Sequence, residues 1–393
     1  METIDNKAIL QALETVIDPE IRRPITELGM VREVVYKENN TVEIHIDLTV
    51  ATCPLKDTIK ADTIKAVSAV ENVSKVEVVM GVMSAEQRKA LREKLSGTVE
   101  SEIPFTKVGN TTKIYAISSG KGGVGKSSIT ANLAVALAQK GLKVGVMDAD
   151  IYGFSIPRML GVDHEPTTVD SMIIPPIAKG VKVISIGMFV SPSQAVVWRG
   201  PMLHRALQQF LGDVFWGDID ILLIDLPPGT GDIAISIAQL LPHSELIVVT
   251  TPQIAAAEVS GRTGAIGLQT KQRVVGVIEN MSYLIDTAGV KIDLFGKGGG
   301  KHVSKQLTEL LGYEVPLLAQ IPLDINLRIA SDKGEPIVFD AENNSTSNDL
   351  NTHQVQTTQE EESKVISELK KVANKLAEKK RGLAGMSLGV SIK

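Results

Sequence analysis

The stretch IYAISSGKGGVGKSSITANLAVALAQK, residues 114–140, decides the fold. It opens with an apolar run of strand length, IYAIS, and closes with a helical pattern, SSITANLAVALAQK. Between them Gly120 to Ser127 follows the spacing G-x4-G-K-[ST]. Glycines there let backbone N–H groups converge on phosphate oxygens without interference from Cβ atoms, and the helix that follows adds its positive end. Lys126 is expected to neutralise β and γ phosphates, and Ser127 to ligate Mg²⁺. The predicted nucleotide contacts are Gly120, Lys121, Gly122, Gly123, Val124, Gly125, Lys126, Ser127 and Ser128, with ATP and Mg²⁺ as ligands.

Outward from this loop, apolar runs recur, each followed by a helical segment: 114–118, 144–147, 181–186, 219–224, 245–249, 273–278 and 315–321. Continuous apolar strands alternating with helices predict an α/β fold, a P-loop NTPase domain with a mostly parallel sheet and helices on both faces. Two carboxylate motifs end such strands, where parallel sheets put their ligand sites. Asp148-Ala-Asp150 closes the second, and Asp225 closes IDILLID ahead of Leu-Pro-Pro-Gly-Thr-Gly-Asp. One acidic residue there could cap a helix, but two beside a phosphate loop favour positioning of water and Mg²⁺.

Residues 1–82 read as a small α+β domain, with helices near 6–16 and 56–70 and strands near 30–36, 42–50 and 75–79. Residues 83–110 read as a linker containing one short helical piece, and 111–340 as the nucleotide domain. The polar run 341–361 reads as disordered. At 362–381 a last helix carries Val365, Ile366, Leu369, Val372, Ala373 and Leu376 on one stripe, suited to capping the main domain.

Composition narrows the function classes. Of 393 residues, 43% are hydrophobic and 22% charged, globular values, whereas aromatics at 4% and a net charge of −5 argue against a nucleic-acid partner. No basic, apolar leader opens the chain and no eighteen-residue apolar run occurs, so a soluble cytoplasmic protein is expected, with no membrane partner. A single cysteine, Cys53, excludes an intrachain disulfide and any one-chain CxxC metal site.

KGGVGKS resembles the deviant Walker A of the partition, nitrogenase-reductase and signal-recognition NTPases. That resemblance implies that Lys121 reaches the nucleotide of a partner subunit, hence a homodimer closing around ATP. DADIYGFSIPRMLG (148–161), VWRGPM (197–202), LLIDLPPGTGD (222–232), IENMSY (278–283) and LFGKGGG (294–300) together resemble the Mrp/ApbC iron–sulfur cluster carrier ATPases over roughly 110–340. IDPE at 17–20 and TCPLKD at 52–57 are similar to the small domain often fused ahead of them. By this resemblance Asp150 orients the attacking water, Asp225 holds Mg²⁺ through its hydration shell, and Asn280 reads the adenine. For Asn280 a turn-forming role is the competing reading. Apo iron–sulfur client proteins or assembly factors would be the partners. Phe154 stands where the family usually has proline.

The larger departure lies at 283–295. Cluster-carrying members usually place a CxxC there, so that two chains supply four thiolates to one [4Fe–4S] cluster; here LIDTAGVKIDL has no cysteine and predicts a plain hairpin turning at 286–289. Cys53 alone leaves most positions of a cluster unfilled, so a small half-buried residue and a redox or transient-ligand role stand as even alternatives for it. Two functions follow: an ATP-hydrolysing carrier in cluster assembly or transfer, or an ATP-driven positioning and scaffold switch with no cluster.

Overall fold

The computed structural model describes residues 5–51, 53–96, 102–151, 153–189, 200–253, 256, 259, 261, 267–286, 288–339 and 363–378. The polar run 341–361 and residues 197–199 of VWRGPM lie outside the described residues. The chain divides into two compact units.

In the smaller unit, helices Asn6–Glu14 and Lys56–Ser68 accompany a three-stranded sheet ordered Val31–Lys37, Thr41–Leu48, Lys75–Val82. The first pair is antiparallel and the second parallel. Alternation in Thr41–Leu48 sends Val42, Ile44 and Ile46 into the core with Ile9, Leu13 and Ile59, while Glu43 and His45 face outward. The unit continues beyond residue 82. It takes in helix Ala85–Ser96, the antiparallel pair Thr167–Val169 and Met172–Ile174, and residues 213–216. The cause is apolar: Val169, Met172, Ile174 and Phe215 share a core with Leu91 and Met30. Arg92 adds an ion pair to Asp170 at 2.9 Å.

The larger unit holds an eight-stranded sheet ordered Leu317–Gln320, Val274–Glu279, Glu245–Thr250, Lys113–Ser119, Ile221–Asp225, Val144–Asp148, Val181–Ser185, Ile177–Ala178. Six pairings among the first seven strands are parallel, so their carboxyl ends gather along one edge, as the apolar runs predicted. Ile221–Asp225 is buried at every position because helices cover both faces of a parallel sheet. Helix Lys126–Ala138 is buried nearly all round, and helix Lys364–Glu378 packs on it through Val365, Leu369, Val372 and Leu376. Lys113 Nζ and Tyr115 Oη donate to the closing carbonyls of that last helix, Ala377 at 2.8 Å and Leu376 at 3.2 Å. Among the described residues no helix is long and apolar enough to cross a membrane.

Candidate functional site

The phosphate loop joins strand Lys113–Ser119 to helix Lys126–Ala138. Gly123 and Gly125 adopt left-handed backbone, at φ 78° and 81°. At Gly125 space is also decisive, since a Cβ would lie 2.3 Å from Asn280 Nδ2. The loop therefore closes tightly around bare backbone, which leaves its amides open to an anion.

Lys126 and Ser127 both point at Asp225. Lys126 Nζ and Ser127 Oγ each donate to Asp225 Oδ2 at 2.6 Å, and Thr130 Oγ1 donates to Oδ1 at 2.8 Å. Lys126 is 6% exposed and Asp225 fully buried, so the ion pair sits in a dry setting where charge must be matched. The strand Ile221–Asp225 is central in the sheet and in register with Ile117 and Asp148, which fixes this carboxylate under the loop.

Two residues from the expected Asp150, Asp148 does a task that the sequence reading left unassigned. Its buried carboxylate accepts from the backbone N–H of Asp150 at 3.1 Å, Ser155 at 3.0 Å and Ile156 at 3.2 Å, and from Ser185 Oγ at 3.3 Å. It thus folds the loop that presents Asp150, whose own Oδ1 accepts from Gly153 N–H. Burial, then the nearby Asp225 charge, pushes the Asp148 carboxyl up to about 7. Phe154, in that loop, lays its ring over Gly187, where a Cβ would meet Cδ2 at 2.3 Å.

Asn280 follows the end of strand Val274–Glu279 and donates from Nδ2 to the Val124 carbonyl at 2.9 Å, tying the phosphate loop to the neighbouring strands. Its Oδ1 is buried and, among the described residues, has no hydrogen-bond partner. Beside it opens a cavity of about 270 Å³ walled by Met159, Met281, Pro322 and Leu323. Lys121 lies on the loop's other limb, its Nζ 2.8 Å from Gln253 Oε1.

The stretch LFGKGGG serves packing. A Cβ on Gly299 would lie 2.6 Å from the carbonyl oxygens of Thr251 and Pro252, and one on Gly300 would lie 2.7 Å from Glu279 Cβ. Buried Glu279 takes the Gly300 N–H, Ser282 Oγ and Gln320 Nε2, which pins this turn to the sheet. Ahead of it, Leu284–Ile285 and Lys291–Ile292 form the expected hairpin, with Asp286 Oδ1 accepting from Ala288 and Val290 N–H.

Cys53 belongs to the smaller unit and is half-buried against that unit's core. Burial pushes its thiol up, and the charges of Glu20 and Asp18 add to the rise. Asp18 is occupied by the turn it caps, accepting from Glu20 and Ile21 N–H. Among the described residues no three His, Cys, Asp or Glu side chains are grouped to hold a metal ion. Ser127 and Asp225 still fit Mg²⁺ on their chemistry, as hard oxygen donors beside an anion cradle, with water and phosphate as the remaining ligands.

Glycine-bared amides, a buried lysine, a hydroxyl and a strand-end carboxylate on a parallel sheet define a P-loop nucleoside-triphosphatase fold. The chain belongs to the NUBPL iron-transfer P-loop NTPase family, whose model matches residues 110–358, and an iron-sulfur cluster assembly protein model matches residues 6–78. The iron-sulfur cluster carrier protein of Mycobacterium tuberculosis (strain H37Rv) is 53% identical over 386 residues, covering 98% of this chain and 96% of the relative. The protein of that name from Bacillus subtilis is 40% identical over 310 residues, covering 78% and 84%. Among solved structures, a nucleotide-binding protein from Archaeoglobus fulgidus in complex with ADP is 31% identical, covers 69% of this chain and 99% of its own, and superposes with a TM-score of 0.48.

Proposed function

We propose that this chain binds and hydrolyses ATP with Mg²⁺ as a homodimer, and that the cycle serves uptake or delivery of an iron–sulfur cluster, as its relatives' names suggest. The observation that carries the nucleotide reading is the convergence of Lys126 and Ser127 on Asp225 at 2.6 Å beneath the glycine loop. In this reading the loop amides and Lys126 take the triphosphate, while Ser127 and Asp225 hold the magnesium shell. Bound Mg²⁺ would supply charge neutralisation on the triphosphate. Asn280 Oδ1 accepts from the exocyclic amine of adenine. Asp150 orients a water whose oxygen bonds to the γ-phosphorus as the bridging oxygen leaves on ADP. Lys121 crosses to the nucleotide of the second copy and steadies the charge of the departing group.

The cluster is cargo in this scheme. With one cysteine per chain, two copies offer two thiols, so the remaining ligands come from assembly factors or apo client proteins. A second reading, an ATP-driven positioning and scaffold switch with no cluster, gains weight from the cysteine-free hairpin and the raised Cys53 thiol. Magnesium-dependent phosphate release by the parent and its loss in Lys126→Ala test the first half. Anaerobic reconstitution followed by iron and sulfide assay tests the second. A parent dimer that takes up no more iron than Cys53→Ala removes carriage through that thiol, and no iron at all selects the switch.

A further inference from the structure

We propose that Gln253 is a positioning residue for Lys121: its side-chain carbonyl keeps the Lys121 ammonium on its own chain, in reserve, until a nucleotide-bearing second copy takes it. The inference rests on the reading above, in which Lys121 serves the partner's nucleotide.

Three observations carry it. Lys121 Nζ donates to Gln253 Oε1 at 2.8 Å across 132 residues of sequence, and the Lys121 carbonyl accepts from Ser119 Oγ at 3.1 Å, so the limb of the loop bearing the lysine is itself held. Gln253 lies just beyond strand Glu245–Thr250, whose Val249 is in register with Ser119, and that pairing sets the two loops side by side. Finally, the residues before Gln253 pack closely on one side: a Cβ on Gly299 would lie 2.6 Å from the Thr251 and Pro252 carbonyl oxygens, and the next residue, Gly300, donates its N–H to Glu279. The acceptor therefore follows a main chain packed against the glycines that open helix Gly299–Leu311.

The choice of a glutamine fits a holder that must let go. A neutral amide oxygen retains an ammonium group yet yields it to a phosphate, whereas a carboxylate would compete through its charge.

The test uses the full nucleotide-free chain. Its lysines are pulse-labelled with an acetylating reagent, and Lys121 is followed by mass spectrometry. Gln253→Ala should raise the Lys121 labelling rate by about two- to fivefold, the size an exposed polar contact supports, and Gln253→Glu should lower it. Equal rates in the three proteins overturn the proposal. ATP turnover gives a second readout. Gln253→Glu should slow the parent but leave the residual turnover of Lys121→Ala unchanged, because the substitution acts through the lysine. A loss of equal size in both backgrounds overturns it. A parent that hydrolyses no ATP refutes the proposed function instead, and the labelling rates still decide whether Gln253 holds Lys121.

Discussion

The Lys126 ammonium and the Asp225 carboxylate meet at 2.6 Å with neither group open to solvent. The site is thus electrically closed before any ligand arrives. On the proposed function, binding of magnesium and a triphosphate is expected to be an exchange of partners, with lysine passing to phosphate and carboxylate to the metal shell. An exchange of this kind avoids leaving a buried charge alone at any stage.

Removing one member of the pair exposes that dependence. Among the described residues, Lys126→Ala leaves the Asp225 carboxylate with the hydroxyl donors of Ser127 and Thr130. The nucleotide-free variant should lose about 3 kcal/mol of stability, the lower range for breaking a buried ion pair, and should hydrolyse no ATP. Urea unfolding with an unchanged midpoint would contradict the first expectation.

Asp148 predicts a pH effect of definite sign. Its carboxyl, raised from 3.8 to about 7, holds its proton more tightly folded than unfolded. Stability from this group is full below the lower value and is lost as pH climbs through the upper one. Asp148→Asn cannot titrate there, so the parent's margin over it should narrow as pH rises across that window. Denaturation curves at a series of pH values, without nucleotide, measure the margin. A constant difference would sink the assignment.

Lys121→Ala should keep most affinity for ATP, because the loop amides and Lys126 remain, and should lose turnover by about a hundredfold, as when one transition-state donor is removed. Calorimetry and phosphate release read the two effects apart. Equal turnover in parent and variant would rule out a role for this ammonium in hydrolysis.

For Cys53 the expectation is sluggish chemistry. A thiol pushed up by burial holds little thiolate at neutral pH, so iodoacetamide should modify it more slowly than it modifies free cysteine, and urea should remove the difference. Fast modification of the folded chain would mean that the sulfur is activated after all.

Local sequence disclosed what local physics determines. The apolar runs became strands because a doubly covered parallel sheet buries most positions of its central strands, and Gly120–Ser127 holds a loop in which the backbone requires Gly123 and Gly125. The hairpin at 284–292 followed from its turn residues. What stayed hidden depends on partners far along the chain. Val169, Met172 and Ile174 join the core of Ile9 and Leu13, which no periodicity near either segment announces. The DAD motif drew the eye to Asp150, but burial at the strand end gives Asp148 the task of folding the loop. Gln253 carries no motif at all, and its meaning comes from Lys121 lying beside it.

Helix Lys364–Glu378 lies after residue 358, where the match to the NTPase family stops, yet Leu369 and Leu376 sit in the same core as Leu133 and Leu137 of the helix that follows the phosphate loop. Each such side chain contributes on the order of 2 kcal/mol when buried. An expression fragment trimmed at the family boundary would bare a greasy furrow directly behind the phosphate loop, and should clump in the test tube. The edge drawn by kinship is not the edge at which this protein can be cut.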